Sequence, residues 1–469
     1  MHTSDTAAGG EGAGTLGRVP EGTQAPLGGS VMKAFFGHPR GLGVLFAAEM
    51  WERFSYYGMR AILVLYMVHV LKYPDSRALG VYAIYVGLVW FTPLAGGMLA
   101  DRVFGTRLAI VIGGSVIAAG HFVLAIPAAW SFYPGLALVV IGTGLFKPNA
   151  STMVGQLYEP GDRRRDAGYT IFYMGINFGS FFAPFVCGYS GQKVNWHYGF
   201  GAAGVGMVLG LITYVALRDK YLPGIGLAPT RREASTADDN APLESDEWHR
   251  IQAILIVFLF AAAFWVSYEQ AGGSLNLFAD RYIDLRVGSF TVPSSWFQAA
   301  QPLFVIVFAA AFAAMWQWLG KRNMEPSTAL KMVFGLLLVG GGYAFMIVAG
   351  RQVDACLATH AANCAIVAPG WLLATYLVGV LGELCLSPVG LSYVSKVAPK
   401  RTVAFFMGVS FLPIAVGSYS GNLLAGLSSS IPSKATFFSI FFVVSVGAGL
   451  LMLLCVPLLK RLTASVKGS

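Results

Sequence analysis

The sequence predicts an all-α membrane protein with twelve transmembrane helices in two six-helix bundles. Three observations carry this. Of 469 residues, 56% are hydrophobic and 12% charged, with mean hydropathy +0.63; a soluble domain carries about 25% charged residues. Apolar stretches, each long enough to cross a ~30 Å hydrocarbon layer, recur twelve times. The longest polar interruption, from Arg218 to Arg250, divides these stretches six and six, as in two membrane repeats joined by a linker.

The stretches fall near 42–71, 78–100, 107–127, 133–157, 168–190, 198–217, 250–273, 295–319, 329–350, 370–396, 402–429 and 436–459. Residues 1–35 are small, polar and Gly-rich, without the charged and apolar regions of a secretory signal; a disordered cytoplasmic tail is expected there. The expected division continues with an N-terminal six-helix bundle over 36–217, a cytoplasmic linker over 218–249, a C-terminal bundle over 250–460 and a short cytoplasmic tail over 461–469. Arg102, Arg107, Arg163–Arg165, Arg218, Lys220, Arg231, Arg232, Lys321, Arg322, Lys400, Arg401, Lys460 and Arg461 lie in one set of loops; the opposite loops hold far fewer, such as Lys72, Arg77, Lys193, Arg281, Arg351 and Lys434. By the positive-inside rule both termini are cytoplasmic, in a cell (inner) membrane.

The stretch Glu49-Met-Trp-Glu-Arg-Phe-Ser-Tyr-Tyr-Gly-Met-Arg60 sets four charges in an apolar segment. Glu49, Glu52, Arg53, Tyr56, Tyr57 and Arg60 are spaced to share one helix face. An ionisable residue at membrane depth costs roughly 2.5–3.5 kcal/mol on insertion scales, so this stripe needs a watery cavity, mutual pairing, or both. Lys147, in Gly144-Leu-Phe-Lys-Pro-Asn149, has the same need, and Pro148 frees backbone groups beside it. Glu269 and Glu383 lie in the first and fourth apolar stretches of the second half. Three cations (Arg53, Arg60, Lys147) then face four carboxylates (Glu49, Glu52, Glu269, Glu383). Near balance implies ion pairs across a central cavity, and the extra carboxylate implies a proton-carrying site, since losing a cation partner raises a carboxylate's proton affinity. Asn177 adds a neutral hydrogen-bonding group between Gly175, Gly179 and Ser180, whose small side chains allow close helix approach.

Other classes are poorly served. The net charge of +9 is scattered rather than patched, which disfavours nucleic acid. No HExxH or Gly-x-Ser-x-Gly is present and the seven histidines are dispersed, so neither enzyme nor metal site is expected. Cys187, Cys385 and Cys455 sit in apolar segments, while Cys356 and Cys364 share one expected outside loop, where a disulfide stays open.

The Glu49-x-x-Glu52-Arg53 stretch and the Phe-Ser-Tyr-Tyr-Gly-Met-Arg-Ala that follows resemble the first-helix signature of the proton-coupled oligopeptide transporters of the major facilitator superfamily. Gly96-Gly-Met-Leu-Ala-Asp-Arg-Val-Phe-Gly-Thr-Arg107, Gly144-Leu-Phe-Lys-Pro-Asn149, Phe172-Tyr-x-x-Ile-Asn-x-Gly-Ser180, Glu269-Gln-Ala-Gly-Gly-Ser-Leu-Asn-Leu-Phe-Ala279 and Gly382-Glu-Leu-Cys-Leu-Ser-Pro388 resemble further signatures in the family's order, and the likeness runs from about Phe36 to Leu459. It implies import of di- and tripeptides with protons as the coupling ion, no other cofactor, and a monomer in the lipid bilayer. Carried over residue by residue, it implies that Arg53 and Lys147 meet the peptide carboxylate, the first through its bidentate fork and the second as a point charge. Asn177, Glu383 and Gln301 would hold the amino terminus, with Glu49, Glu52 and Glu269 linked to protons. Tyr56, Tyr57, Trp90, Trp265 and Ser387 match cavity positions, and Arg60–Glu269 and Lys147–Glu383 match outer and inner gate pairs. The chain departs from the family at Trp90, where a tyrosine is usual, at Gln301 before Pro302, where asparagine is common, and at Ser410 of Gly408-Val-Ser410, where tryptophan is typical. A carrier of nitrate or another small anionic solute is the alternative reading.

Overall fold

Long apolar runs in hydrocarbon must satisfy every backbone N–H and C=O internally, and the helix does this within one segment. The computed structural model accordingly describes an almost wholly helical chain over residues 35–159, 161, 162, 164–227, 244–359, 363–399 and 402–465. The expected N-terminal tail up to residue 34, the linker over 228–243 and residues 466–469 lie outside the described residues.

The helices are α1 (Arg40–His69), α2 (Asp75–Leu99), α3 (Gly105–Leu124), α4 (Phe132–Gln156), α5 (Arg165–Tyr189), α6 (Trp196–Tyr221), α7 (Ser245–Tyr268), α8 (Ser274–Tyr282), α9 (Ala300–Lys321), α10 (Thr328–Ala358), α11 (Gly370–Val397), α12 (Val403–Val409), α13 (Leu412–Ala425) and α14 (Lys434–Leu462). Among the described residues, nine continuous helical stretches are long and apolar enough to cross a membrane. One of these, Asp75–Leu124, joins α2 to α3 through a π-turn over Ala100–Phe104. The charge-bearing α1 is not among the nine. A small hairpin of β1 (Arg286–Val287) and β2 (Phe290–Thr291) lies between α8 and α9.

Several ends have identifiable caps. Glu244 and Glu247 close a capping box at the start of α7. The Asn195 side chain accepts the His197 N–H at 2.9 Å at the start of α6. At α14, Ser433 Oγ accepts the Thr436 N–H at 3.1 Å, while Asp354 on α10 accepts the Lys434 N–H at 2.6 Å and the Ala435 N–H at 3.1 Å. A carboxylate there also suits the positive end of the helix dipole.

Two stretches expected to be single helices are broken. The 250–273 stretch leaves α-geometry after Tyr268, makes a 3₁₀ turn over Glu269–Gly272 and restarts as α8 beyond Gly273. Glu269 therefore sits in this turn and not in a regular helix. The 402–429 stretch is interrupted at Ser410 and Phe411; Pro413, at the start of α13, has no N–H to donate, and its ring excludes a continuous helix through the carbonyl four residues earlier. Cys356, in the last turn of α10, forms a disulfide with Cys364.

Within the first half α1 packs on α5 and α6, and α4 on α2 and α3; within the second, α10 packs on α11 and α14, and α7 on α13. Glycine permits the closest of these contacts. A Cβ on Gly179 of α5 would stand 2.1 Å from the Met50 carbonyl oxygen of α1. The halves meet unevenly. At the His69 end of α1 one continuous apolar core draws on both, including Tyr66, Tyr82 and Phe200 with Phe278, Tyr343 and Phe438. At the Arg40 end the cores are separate: Leu42, Ile110, Met153 and Tyr214 in one half, Ile254, Met332, Val397 and Leu459 in the other. Polar contacts reinforce the shared end. His69 Nε2 lies 2.6 Å from Asp280 Oδ2, and Arg281 donates to both Asp75 oxygens at 2.6 and 2.7 Å. Gln192 Nε2 donates to Ser294 Oγ at 2.9 Å, and Ser295 Oγ donates to Gln192 Oε1 at 2.6 Å.

Because the atom facing Gly179 is backbone, relief requires α1 and α5 to part. Gly179→Ala is expected to cost about 2 kcal/mol, read as a lower thermal midpoint of the purified protein in detergent. Gly175→Ala, whose nearest contacts are Phe46 atoms at 3.0 Å, is expected to cost less.

Candidate functional site

A cavity of about 280 Å³ lies between the halves, walled by α1, α2, α4 and α5 on one side and by α7, α9, α11 and α13 on the other. Glu49, Arg53, Tyr57 and Arg60 line it. Glu52 and Tyr56 do not; both are fully buried behind that face. The reason is angular. At about 100° per residue, positions 49, 53, 57 and 60 span a forward arc, while 52 and 56 fall on its flank. The expected cavity position of Tyr56 is thus corrected: its ring packs edge-on to Tyr57 and stacks at 6.5 Å on Tyr85 of α2.

Arg53 is held from two sides. Nη2 donates to Glu52 Oε1 at 2.6 Å while Nε donates to Glu52 Oε2, a fork-on-carboxylate pair, and Nε is also 3.2 Å from Glu49 Oε1. One guanidinium thus serves two carboxylates. Glu49 Oε2 is buried without a hydrogen-bond partner among the described residues.

Seven residues further along α1, Arg60 reaches the second half. Its Nη2 lies 2.7 Å from Glu269 Oε2, its Nε donates to Tyr82 Oη at 2.6 Å, and its guanidinium lies 5.5 Å from the Tyr57 ring centre. The 3₁₀ turn at Glu269–Gly272 is what presents this carboxylate to α1. Two further amides from the second half, Asn276 Nδ2 at 2.9 Å and Gln298 Nε2 at 3.2 Å, donate to the Ala61 carbonyl. The Arg60–Glu269 contact is therefore embedded in the shared core.

The second expected pair, Lys147 with Glu383, is not made, although both residues line the cavity. The Tyr268 hydroxyl donates to Glu383 Oε2. Lys147 Nζ instead sits 3.1 Å from the centre of the Trp90 ring and 5.6 Å from that of Phe411. Each member is engaged by an aromatic side chain of its own half or by one crossing from the other, and no ion pair joins them among the described residues.

Trp90, Asn177, Trp265, Gln301 and Ser387 line the same cavity. Asn177 donates to the Tyr173 carbonyl at 3.0 Å and also engages the Tyr173 side chain. Sequence reasoning missed Tyr268, Tyr173, Gln298 and Phe411, which also line it, and Tyr82, which holds Arg60 from behind. Gln298 three residues before Gln301 and Tyr173 four before Asn177 were available as helical-spacing signals.

A profile of the POT family (PTR2) matches residues 107–222 and 240–444. The chain belongs to the POT family. Among its relatives, an uncharacterized transporter, YclF, of Bacillus subtilis (strain 168) is 39% identical, covering 92% of this chain and 96% of its own length. A di-/tripeptide transporter of Lactococcus lactis subsp. cremoris is 32% identical over 93% of this chain and 98% of its own. The crystal structure of a mutant of the peptide transporter POT in complex with alafosfalin superposes with a TM-score of 0.84 at 38% identity, covering 93% of this chain and 98% of that one. In this POT family member the closure around Arg60 leaves no room for a methyl group at Gly272, where a Cβ would stand 2.1 Å from Tyr82 Oη and 2.8 Å from Arg60 Nε. Gly272→Ala is expected to loosen the closed end. Cysteines placed at 69 and 280, whose native side chains touch, should cross-link more slowly in that background than in its absence.

Proposed function

We propose that the protein is a proton-coupled symporter that imports di- and tripeptides by alternating access. The observation that carries this is the cavity's chemistry: cations from the first half and carboxylates from both halves face one small-ligand-sized space that is closed over by shared core at one end. A short peptide is a zwitterion, so a site reading only its two ends and backbone accepts many sequences. Lys147 and Arg53 suit the carboxylate; Glu383, Asn177 and Gln301 suit the ammonium and the adjoining amide; Tyr57, Trp90, Trp265 and Ser387 border the side chains. The di-/tripeptide relative and the ligand-bound transporter structure support this substrate class.

The reading includes twelve spans. Counting α2 and α3 separately, adding α1, and taking α12 with α13 as one interrupted crossing extends the nine apolar stretches to twelve, in two six-helix halves joined by the linker. The Arg-rich loops face the cytoplasm, so the His69 end is the outer face. The protein acts as a monomer in the cell membrane, with protons as the coupling ion and no other cofactor.

Coupling follows from the pairs. The Arg60–Glu269 contact holds the outer end shut, and a proton on Glu269 removes the attraction. Breaking such a buried pair costs about 3–5 kcal/mol when one charge is left alone, enough to shift a conformational balance by orders of magnitude. Glu49 and Glu52 share Arg53, so one of them can take a proton without stranding a cation. The membrane potential adds ~2.3 kcal/mol per 100 mV for each charge carried inward.

In liposomes, a pH gradient, acid outside, is expected to drive accumulation of labelled dialanine. Unlabelled trialanine should compete and nitrate should not. Competition by nitrate with none by peptides would replace the substrate class. Glu269→Gln is expected to abolish accumulation while peptide counterflow survives; unchanged accumulation would remove Glu269 from the coupling scheme.

A further inference from the structure

Of the three cations lining the cavity, Arg53 is claimed by Glu52 and Glu49 and Arg60 by Glu269. Lys147 has no carboxylate partner among the described residues, and its Nζ rests over the Trp90 ring, 3.1 Å from its centre. Trp90 belongs to α2 and stacks on Phe411, which leads into α13 of the other half; their rings are 6.2 Å apart and 22° from parallel. Phe411 lies 5.6 Å from the same Nζ. The indole offers Lys147 only its face, because its N–H is a donor and cannot accept from an ammonium. An aromatic face attracts a cation through its quadrupole, and tryptophan does so best, yet it cannot neutralise the charge.

We infer that Trp90, aided by Phe411 from the opposite half, is the positioning residue that keeps Lys147 free of a carboxylate partner, so that an arriving ligand carboxylate competes with a neutral ring and not with Glu383. The inference rests on the reading that Lys147 receives the carboxylate of a peptide-like ligand. It makes the carboxylate's arrival felt across the halves: drawing Lys147 away removes the charge lying against the Trp90–Phe411 stack. The departure at Trp90 then bears on how anions are received and not merely on cavity shape.

The test is dialanine binding to purified protein by calorimetry, with a double-mutant cycle. Trp90→Leu is expected to raise the dissociation constant about tenfold, as Lys147 turns toward Glu383, whereas Trp90→Phe keeps a ring face and stays within about threefold of wild type. Phe411→Leu should move in the same direction by less. In a Lys147→Gln background both leucine substitutions should have almost no further effect. Equal losses for Trp90→Leu and Trp90→Phe, or a Trp90→Leu loss that persists undiminished without Lys147, would reduce Trp90 to a wall residue and overturn the inference. So would wild-type affinity in Trp90→Leu. If Trp90→Leu does not fold, the Phe411→Leu arm of the cycle decides alone. Absence of dialanine binding by the wild-type protein overturns the peptide reading itself, whereas binding that Lys147→Gln leaves intact overturns only the assignment of the carboxylate to Lys147.

Discussion

The organising constraint is the cost of an unmatched charge away from water. Hydrocarbon around the bundle makes each ionisable group at depth expensive, and the structure meets that cost by gathering those groups inward and giving nearly every one a partner. Arg53 lies against Glu52 and Glu49, Arg60 against Glu269 and Tyr82, Glu383 against the Tyr268 hydroxyl, and Lys147 against an indole. Arg53 finds its partners on its own helix, the others find theirs on different helices, and Arg60 finds Glu269 in the other half. The charge pattern therefore dictates how the two halves can sit together, and the apolar packing must agree with it.

The uneven core is the other side of this constraint. Where Arg60 and Glu269 meet, aromatic residues from both halves merge into one core; where α1 begins, each half keeps its own. On the proposed reading, a shared core with a buried ion pair at its base is a closure that opens when the pair is broken. Two independent cores can separate or approach without either unfolding. On the alternating-access reading proposed above, a carrier needs both properties, one at each end, and it needs them to exchange.

Much of this was legible in the sequence. The apolar stretches placed the helices, and the spacing of Glu49, Arg53, Tyr57 and Arg60 placed them on one face, because helical periodicity is local. The flank positions of Glu52 and Tyr56 were blurred for the same reason, since a stripe read from spacing alone does not say where its edge falls. Partners supplied from afar were not legible. Tyr82 behind Arg60, Tyr268 on Glu383 and Phe411 beside Lys147 arise from tertiary packing, so Lys147 and Glu383 could be named as cavity residues but not kept apart. The breaks after Tyr268 and at Ser410–Phe411 had signals in Gly272, Gly273 and Pro413, outweighed by the apolarity around them. Cysteine spacing permitted the Cys356–Cys364 link without deciding it.

That link has a mechanical corollary. The segment after Cys364 runs beside the end of α8, with Asp284 N–H donating to the Val367 carbonyl at 3.0 Å and Val367 N–H to the Tyr282 carbonyl at 2.9 Å. The disulfide ties the same segment to the tip of α10, whose Asp354 clamps the start of α14. The stub that follows Glu269 is thus strapped, through a covalent staple and a short backbone splint, to the two longest helices of its half. It is built to travel with them as the head of a stiff lever, not to flap alone like a hinged lid.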